Sequence, residues 1–265
     1  MTNKKDKDDS AQEYYKVLSG IDFTVPKGKL VAIIGTVGSG KSSLFFSLLQ
    51  EMEKYDGTYA VNGTVAYVEQ EAFVFADTFR NNLLFGRKND PLRYEQVISV
   101  CALESDRKLL TDGDDTQIGE KGVNLSGGQK ARICLGRALY SDADVYLLDD
   151  PLSAVDTKVG EVLFTDAIKS FLKGKTVLLI THQLHFAAQC DEIIVMDKGE
   201  IIMRGTYDEI NSTRPDIFEK ALNNDQKEDE EEEADEEDLE LDELQLQMKK
   251  LRRKTSTKLR KTDGD

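Results

Sequence analysis

The stretch Gly35-Thr36-Val37-Gly38-Ser39-Gly40-Lys41-Ser42, with Ser43 behind it, constrains this chain more than any other. It follows the continuous apolar run Leu30-Val31-Ala32-Ile33-Ile34 and leads into Ser42 to Leu49, which reads as a helix. An apolar run without alternation suits a strand buried on both faces, as in a parallel sheet. The glycines let successive backbone N–H groups turn inward around phosphate oxygens, and the following helix points its positive end at them. In a GxxxxGK[ST] loop the lysine, here Lys41, reaches the β- and γ-phosphates, and the Ser42 hydroxyl ligates Mg²⁺. A strand, a phosphate loop and a helix are therefore expected in that order.

The same chemistry needs a carboxylate at the end of a neighbouring strand to hold the Mg²⁺ shell. Asp149 is placed for it, at the end of the apolar run Val145–Leu148 and followed by Asp150. A further buried-strand run, Thr176–Ile180, ends in Thr181-His182. Ile193–Met196 and Ile201–Met203 flank Asp197-Lys198-Gly199 as a hairpin. Tyr14 to Val25 is β-rich and closes on a turn at Pro26-Lys27-Gly28, while Asn89 to Thr111 is more helical and more polar. Strands alternating with helices give an α/β fold with a mainly parallel central sheet. Phosphate loop and carboxylate together make a nucleoside triphosphate site of the P-loop class.

Composition excludes several other functions. With 35 basic and 50 acidic residues the chain carries a formal charge of −15. The surplus is dispersed over the folded part with no basic cluster, which argues against a nucleic-acid-binding face. No apolar run approaches the ~18 residues that suggest a membrane span. The charged start is no signal peptide. Cys101, Cys134 and Cys190 lie far apart without CxxC spacing and read as free thiols in a reducing compartment. Residues 1–13 are expected to be disordered, 14–221 to form the nucleotide-binding domain with a helical part at about 89–140, and 222–265 to be a charged, mostly disordered tail. Asp225 to Glu243 holds 14 acids against one lysine, too polar to bury a core. Beyond it Leu241, Leu244, Met248 and Leu251 have helical spacing, and Arg252-Arg253-Lys254 sets Thr255, Ser256 and Thr257 beside a basic cluster where phosphorylation would reverse the local charge.

Leu125-Ser126-Gly127-Gly128-Gln129 narrows the reading. This LSGGQ, between the phosphate loop and the Asp149 strand, resembles the signature sequence of ATP-binding-cassette (ABC) ATPases. Ser126 and the glycines Gly127 and Gly128 at a helix start, with Gln129, offer hydroxyl and N–H donors to an anion. The resemblance covers roughly residues 15–215. It implies a P-loop NTPase core with a mainly parallel central sheet, an antiparallel β subdomain and a helical signature subdomain. ATP and Mg²⁺ are the implied ligands. A second nucleotide-binding domain, closing head to tail, and ABC transmembrane domains are the implied partners, which would hold the chain at the cytoplasmic face of a membrane. By the same resemblance Gln70 looks like the Q-loop glutamine that touches Mg²⁺, with Glu69 where proline is usual. Thr116-Gln117-Ile118-Gly119-Glu120-Lys121-Gly122 resembles the segment that contacts transmembrane coupling helices. Ser153-Ala154-Val155-Asp156 is similar to the D-loop, and His182 looks like the switch histidine, whereas His185 reads as a surface or packing residue. The stretches Phe79–Gly86, Asp149–Asp156 and Thr181–Phe186 look like the first nucleotide-binding domain of the C subfamily, the multidrug-resistance-associated proteins.

Two departures qualify that resemblance. Family members that hydrolyse well place a glutamate after the Walker B aspartate, and this chain has Asp150, a carboxylate retracted by one methylene. Tight ATP binding and slow turnover are expected, since a base must come within hydrogen-bond reach of its water and ~1 Å of misplacement can cost about 10²-fold. A nucleotide-gated regulatory module with little turnover is the alternative. The family also stacks adenine on an upstream aromatic ring, which ordinary spacing would put near Ser10. Either Tyr14 or Tyr15 takes that place, or the chain lacks its first strand and is a non-functional fragment.

Overall fold

The computed structural model of this chain describes residues 15–119 and 123–218. The chain divides into two compact units, Met1–Pro215 and Asp216–Asp265, and of the second only a helical stretch at residues 216–218 is described. The tail with its amphipathic spacing and Thr255-Ser256-Thr257, together with Tyr14 and Glu120-Lys121-Gly122, lies outside the described residues.

In chain order the first unit runs β1 (Leu30–Ile34), α1 (Lys41–Leu48), β2 (Val65–Val68), β3 (Asp77–Thr78), α2 (Phe79–Leu84), α3 (Pro91–Val100), α4 (Glu104–Leu109), β4 (Gln117–Ile118), α5 (Gly127–Tyr140), β5 (Val145–Asp149), α6 (Thr157–Val162, continuing as a π-helix over Leu163–Phe171), β6 (Thr176–Ile180), α7 (Leu184–Ala187), β7 (Glu192–Asp197), β8 (Glu200–Gly205) and α8 (Tyr207–Thr213). Six strands form one sheet in the order β2-β5-β6-β1-β7-β8. Every neighbour pair is parallel except the hairpin β7–β8. A second, antiparallel pair joins β3 to β4. The P-loop class with a mostly parallel sheet and an antiparallel element is thus the observed fold.

The unalternated runs do what their composition requires. Along β5, Val145 and Leu147 enter one core with Leu44 and Phe45 of α1, while Tyr146 and Leu148 enter the other with Ile133, Leu135 and Leu139 of α5. In β6, Leu178 and Ile180 face the first core and Val177 and Leu179 the second. Alternate side chains point to opposite faces of a sheet, so a strand covered by helices on both sides must be apolar at every position.

Tyr15 to Val25 does not become the expected strand. Its apolar side chains Leu18, Ile21, Phe23 and Val25 do pack against the first core. Its backbone, however, is tied by isolated contacts instead of a ladder: the Ser19 N–H donates to the Gly199 carbonyl at 2.9 Å, and Arg204 Nη2 donates to the Thr24 carbonyl at 2.6 Å. The Pro26-Lys27-Gly28 turn is present, with the Lys29 N–H bonded to the Pro26 carbonyl. Helices α3 and α4 fill the stretch read as helical, and α2 precedes it.

Candidate functional site

Topology gathers the sequence-derived site residues at one edge of the sheet. The register pairs Ile33 with Ile180, Ile180 with Asp149 and Leu148 with Val68, so four parallel strands end side by side. Each end carries a residue that the sequence marks as a site candidate: Gly35 after β1, Asp149 closing β5 with Asp150 next, His182 after β6, and Gln70 two residues beyond β2. The crevice outside the carboxyl ends of parallel strands is where open α/β sheets bind ligands.

The phosphate loop is shaped by its glycines. Gly35 has φ +153°, and a Cβ there would lie 2.2 Å from the Met196 carbonyl oxygen and 2.8 Å from Ser39 Oγ. Gly40, at φ +99°, caps α1 in a left-handed conformation that costs a side chain dearly and glycine nothing. The Lys41 Nζ donates to the carbonyls of Gly35 and Thr36 at 2.8 and 3.1 Å, inside the loop's curve. The hydroxyl of Ser39 is buried with no hydrogen-bond partner among the described residues. A buried donor of this kind is costly unless something accepts from it, and phosphate oxygens are apt acceptors. Val37 and Gly38 form the exposed crown of the loop, and the Gly199 N–H of the β7–β8 turn holds its base through Ser39 O at 2.8 Å.

Beside the loop, Asp149 is almost fully buried, with the hydroxyls of Ser42 and Tyr67 near its carboxyl. Burial pushes its carboxyl above the usual aspartate range, opposed by the Ser42 hydroxyl and the nearby Lys41 and His182. Ser42 and Asp149 are both hard oxygen donors held together at the mouth of a phosphate loop, which fits Mg²⁺ shared with phosphate oxygens. Among the described residues no group of three or more His, Cys, Asp or Glu could hold a metal by itself. Gln70 is exposed in the loop after β2.

Asp150 departs from regular geometry. Its φ is +45°, in the left-handed region that aspartate tolerates better than most side chains. Hydrogen bonds lock that turn: the Asp150 N–H donates to the Ile180 carbonyl at 3.0 Å, and Ser153 Oγ donates to the Asp150 carbonyl at 2.9 Å. Burial raises the Asp150 carboxyl as well, with His182 and the Ser153 hydroxyl pulling the other way and Asp149 adding to the rise. His182 therefore stands close to both carboxylates. His185 is exposed, 3.5 Å from Glu161 and against the Phe186 ring, in keeping with a packing residue.

The LSGGQ turn opens the 14-residue helix α5 through a capping box. Ser126 Oγ accepts from the Gln129 N–H, and Gln129 Oε1 accepts from the Ser126 N–H. Gly127 and Gly128 sit against Ala154: a Cβ on Gly128 would come within 2.8 Å of the Ala154 carbonyl oxygen. The turn is also anchored by residues that sequence reasoning missed. Gln129 Nε2 donates to Asp106 Oδ1 at 2.9 Å, and Asp106 is paired with Arg132 at 2.7 Å. Arg132 stands six residues after Ser126 on the same helix, but nothing local announces an aspartate on α4 as its partner.

Residues 18–153 match the pattern of the family described as ABC transporter. The chain belongs to that family. Over 214 residues, 81% of its length, it is 47% identical to human "ATP-binding cassette sub-family C member 4", of which it spans 16%. It is 48% identical over 221 residues (83% of its length) to the Caenorhabditis elegans "Multidrug resistance protein mrp-7", spanning 14% of that protein. With human "ATP-binding cassette sub-family C member 3" it shares 50% over 199 residues, 74% of its length and 13% of the relative's. The similarity is thus to one ATP-binding cassette within much longer C-subfamily proteins, and the resemblance read from LSGGQ and its companions holds. Among the described residues no helix is long and apolar enough to cross a membrane.

Proposed function

We propose that this chain is an ATP-binding cassette of a C-subfamily exporter, its first nucleotide-binding domain, and that it binds Mg-ATP tightly and turns it over slowly. The observation that carries the reading is the glycine-shaped loop around Lys41 set beside the buried Asp149 at the neighbouring strand end. Gly35 to Ser43 wrap the phosphates, Lys41 neutralises the β- and γ-oxygens, and Ser42 with Asp149, joined by Gln70, holds the cation. Bound Mg²⁺ supplies charge neutralisation on the β- and γ-phosphates. His182 faces the γ-phosphate, and Asp150 orients the attacking water and takes its proton.

Slow turnover follows from what holds Asp150. Its short side chain starts from a locked left-handed turn and is harder to ionise than a solvated aspartate. A general base must reach its water in the correct protonation state, and both requirements are strained here. The same facts favour the second reading, a nucleotide-gated module in which ATP holds two cassettes shut and hydrolysis matters little.

The partners in this proposal are a second cassette and the membrane domains, which place the chain at the cytoplasmic face of a membrane. Ser126 and the N–H groups of α5 meet the ATP held by the opposite cassette in a head-to-tail pair. β4 pairs with Asp77–Thr78 and Gly119 lies against the Phe75–Ala76 backbone, while the Phe75 ring, stacked by Arg137 at 4.6 Å, connects exposed Phe73 and Phe85. An aromatic, partly apolar surface next to β4 suits docking of a helix from the membrane domains. The test is calorimetric titration of the purified chain with Mg-ATP, with phosphate release followed in the same sample. Binding with little release supports the proposal; no binding refutes it, and brisk release refutes the slow-turnover part.

A further inference from the structure

The phosphate loop is braced from outside by residues that belong to no motif. The turn between β7 and β8 carries Gly199, whose N–H donates to the Ser39 carbonyl at 2.8 Å. The Gly199 carbonyl in turn accepts from the Ser19 N–H at 2.9 Å. Gly199 therefore links the phosphate loop to the segment of residues 15–25. The fit is close. At Gly199, with φ +79°, a Cβ would fall 2.0 Å from the Val17 carbonyl oxygen. At Gly40 a Cβ would fall 3.2 Å from Leu18 Cδ2 and 3.3 Å from the Gly199 Cα. Leu18 thus lies directly on the glycine that caps α1, and it also packs against the core that holds Leu44 and Phe45. The same hairpin abuts the other end of the loop, where the Met196 carbonyl leaves no room for a side chain at Gly35.

We propose that Leu18 and Gly199 are positioning residues for the nucleotide phosphates: residues 17–19, acting through the β7–β8 turn, hold the phosphate loop in its binding curve. Gly35, Gly38 and Gly40 all have positive φ, so the side chains of the loop do little to restrain it. A loop that must be ordered when its ligand arrives loses affinity to that ordering, and one held beforehand does not. The outside restraint falls on Ser39, whose hydroxyl is buried without a partner among the described residues. Holding the Ser39 carbonyl from Gly199 fixes the peptide that leads into Gly40. The N–H groups at the start of α1, which face an anion in such a loop, follow directly from that peptide. Leu18 covers Gly40, where the chain has no side chain of its own to limit its motion.

The inference rests on the nucleotide-site reading above, and one experiment separates them. Mg-ATP is titrated calorimetrically, well below the unfolding midpoint, into the wild-type chain and into Leu18→Ala, Leu18→Met, Gly199→Ala and Val25→Ala. Unfolding midpoints of all five are recorded. Val25 packs against the same core from the other end of the segment, so it reports what lost packing alone does. Leu18→Ala should bind ATP about 3–10-fold more weakly, the scale of ordering one or two groups on binding, and Gly199→Ala at least as weakly. Leu18→Met, close in volume, should restore the affinity. Val25→Ala should lower the midpoint and leave the affinity at its wild-type value. Wild-type affinity in Leu18→Ala overturns the proposal. So does an equal loss in Val25→Ala, which marks the segment as a cover for the core and nothing more. If Gly199→Ala fails to fold, the two Leu18 variants and Val25→Ala still decide the matter. A wild-type chain that binds no ATP removes the nucleotide-site reading and this inference with it, whereas an unchanged Leu18→Ala beside a binding wild type removes the inference alone.

Discussion

Replacing Asp106 by alanine is the most informative perturbation of the signature element, because it leaves LSGGQ untouched and removes only what holds it. The Asp106 and Arg132 side chains are 9% and 13% exposed and paired at 2.7 Å. Removing one partner of a buried ion pair costs about 3–5 kcal/mol, since the other charge is stranded. Here Arg132 keeps two acceptors, the Ala102 carbonyl at 2.6 Å and the Gly128 carbonyl at 3.2 Å, which brings the expected cost down to about 2–3 kcal/mol. Alanine is the better helix former, so no loss of propensity in α4 inflates the figure. Urea unfolding followed by circular dichroism measures it directly, and the thermal midpoint should fall by roughly 5–10 °C for a domain of this size. A cycle with Arg132→Met isolates the pair: the double variant should recover at least about 1 kcal/mol relative to the sum of the singles. A cost below about 1 kcal/mol, or strict additivity in the cycle, would refute the claim that this pair anchors the signature turn.

Asp150→Glu restores the missing methylene and should raise ATP turnover, by up to about 10²-fold or ~2.7 kcal/mol if misplacement of the base is the whole deficit; phosphate-release assays read it, with Asp150→Asn expected to be inactive. Because burial raises Asp150, wild-type turnover should fall on acidification beginning above the ordinary aspartate range of about 3.9, the direction for a base that must be ionised, and a pH profile of hydrolysis checks this. Gly35→Ala puts a Cβ 2.2 Å from the Met196 carbonyl oxygen, so it should destabilise the fold by at least ~1–3 kcal/mol and abolish ATP binding, as thermal unfolding and calorimetry would show. The three cysteines should resist a thiol reagent at pH 8 in the native protein and react together on unfolding: burial pushes the Cys101 and Cys190 thiols up to about 12, and Cys134 is buried with its Sγ against the Phe73 carbonyl.

What was legible in the sequence was legible for local reasons. The runs at Leu30, Val145 and Thr176 gave themselves away because a strand covered on both faces admits no polar position, and Gly35 and Gly40 because no side chain fits their backbone. The start of α5 was visible in Ser126, three residues before Gln129. Tyr15 to Val25 misled for a related reason. Alternating apolar residues announce burial against a core, and that burial occurs, but alternation does not say whether the backbone finds a ladder. The long-range partners were hidden altogether. Asp106 is 26 residues from Arg132 in the chain and 23 from Gln129, and it looks locally like an ordinary helix residue.

The geometry also joins two functions that the motifs present as separate. Asp150, the candidate base, and Ala154, against which Gly128 of the signature packs, belong to one short turn stiffened by the Ser153 hydroxyl. Under the proposed head-to-tail arrangement, Asp150 serves the ATP bound by this chain while Ser126 and Gly128 serve the ATP of the opposite cassette. The two composite sites therefore meet within this chain at a turn of five residues. The Gly128–Ala154 approach leaves no room for a methyl group, so displacement of the signature helix must be accommodated by the turn that carries Asp150. Interiors packed this closely transmit strain instead of absorbing it. Under the proposed reading, then, such a cassette is no passive half of a pair: the candidate base and the packing of its signature share the same five residues.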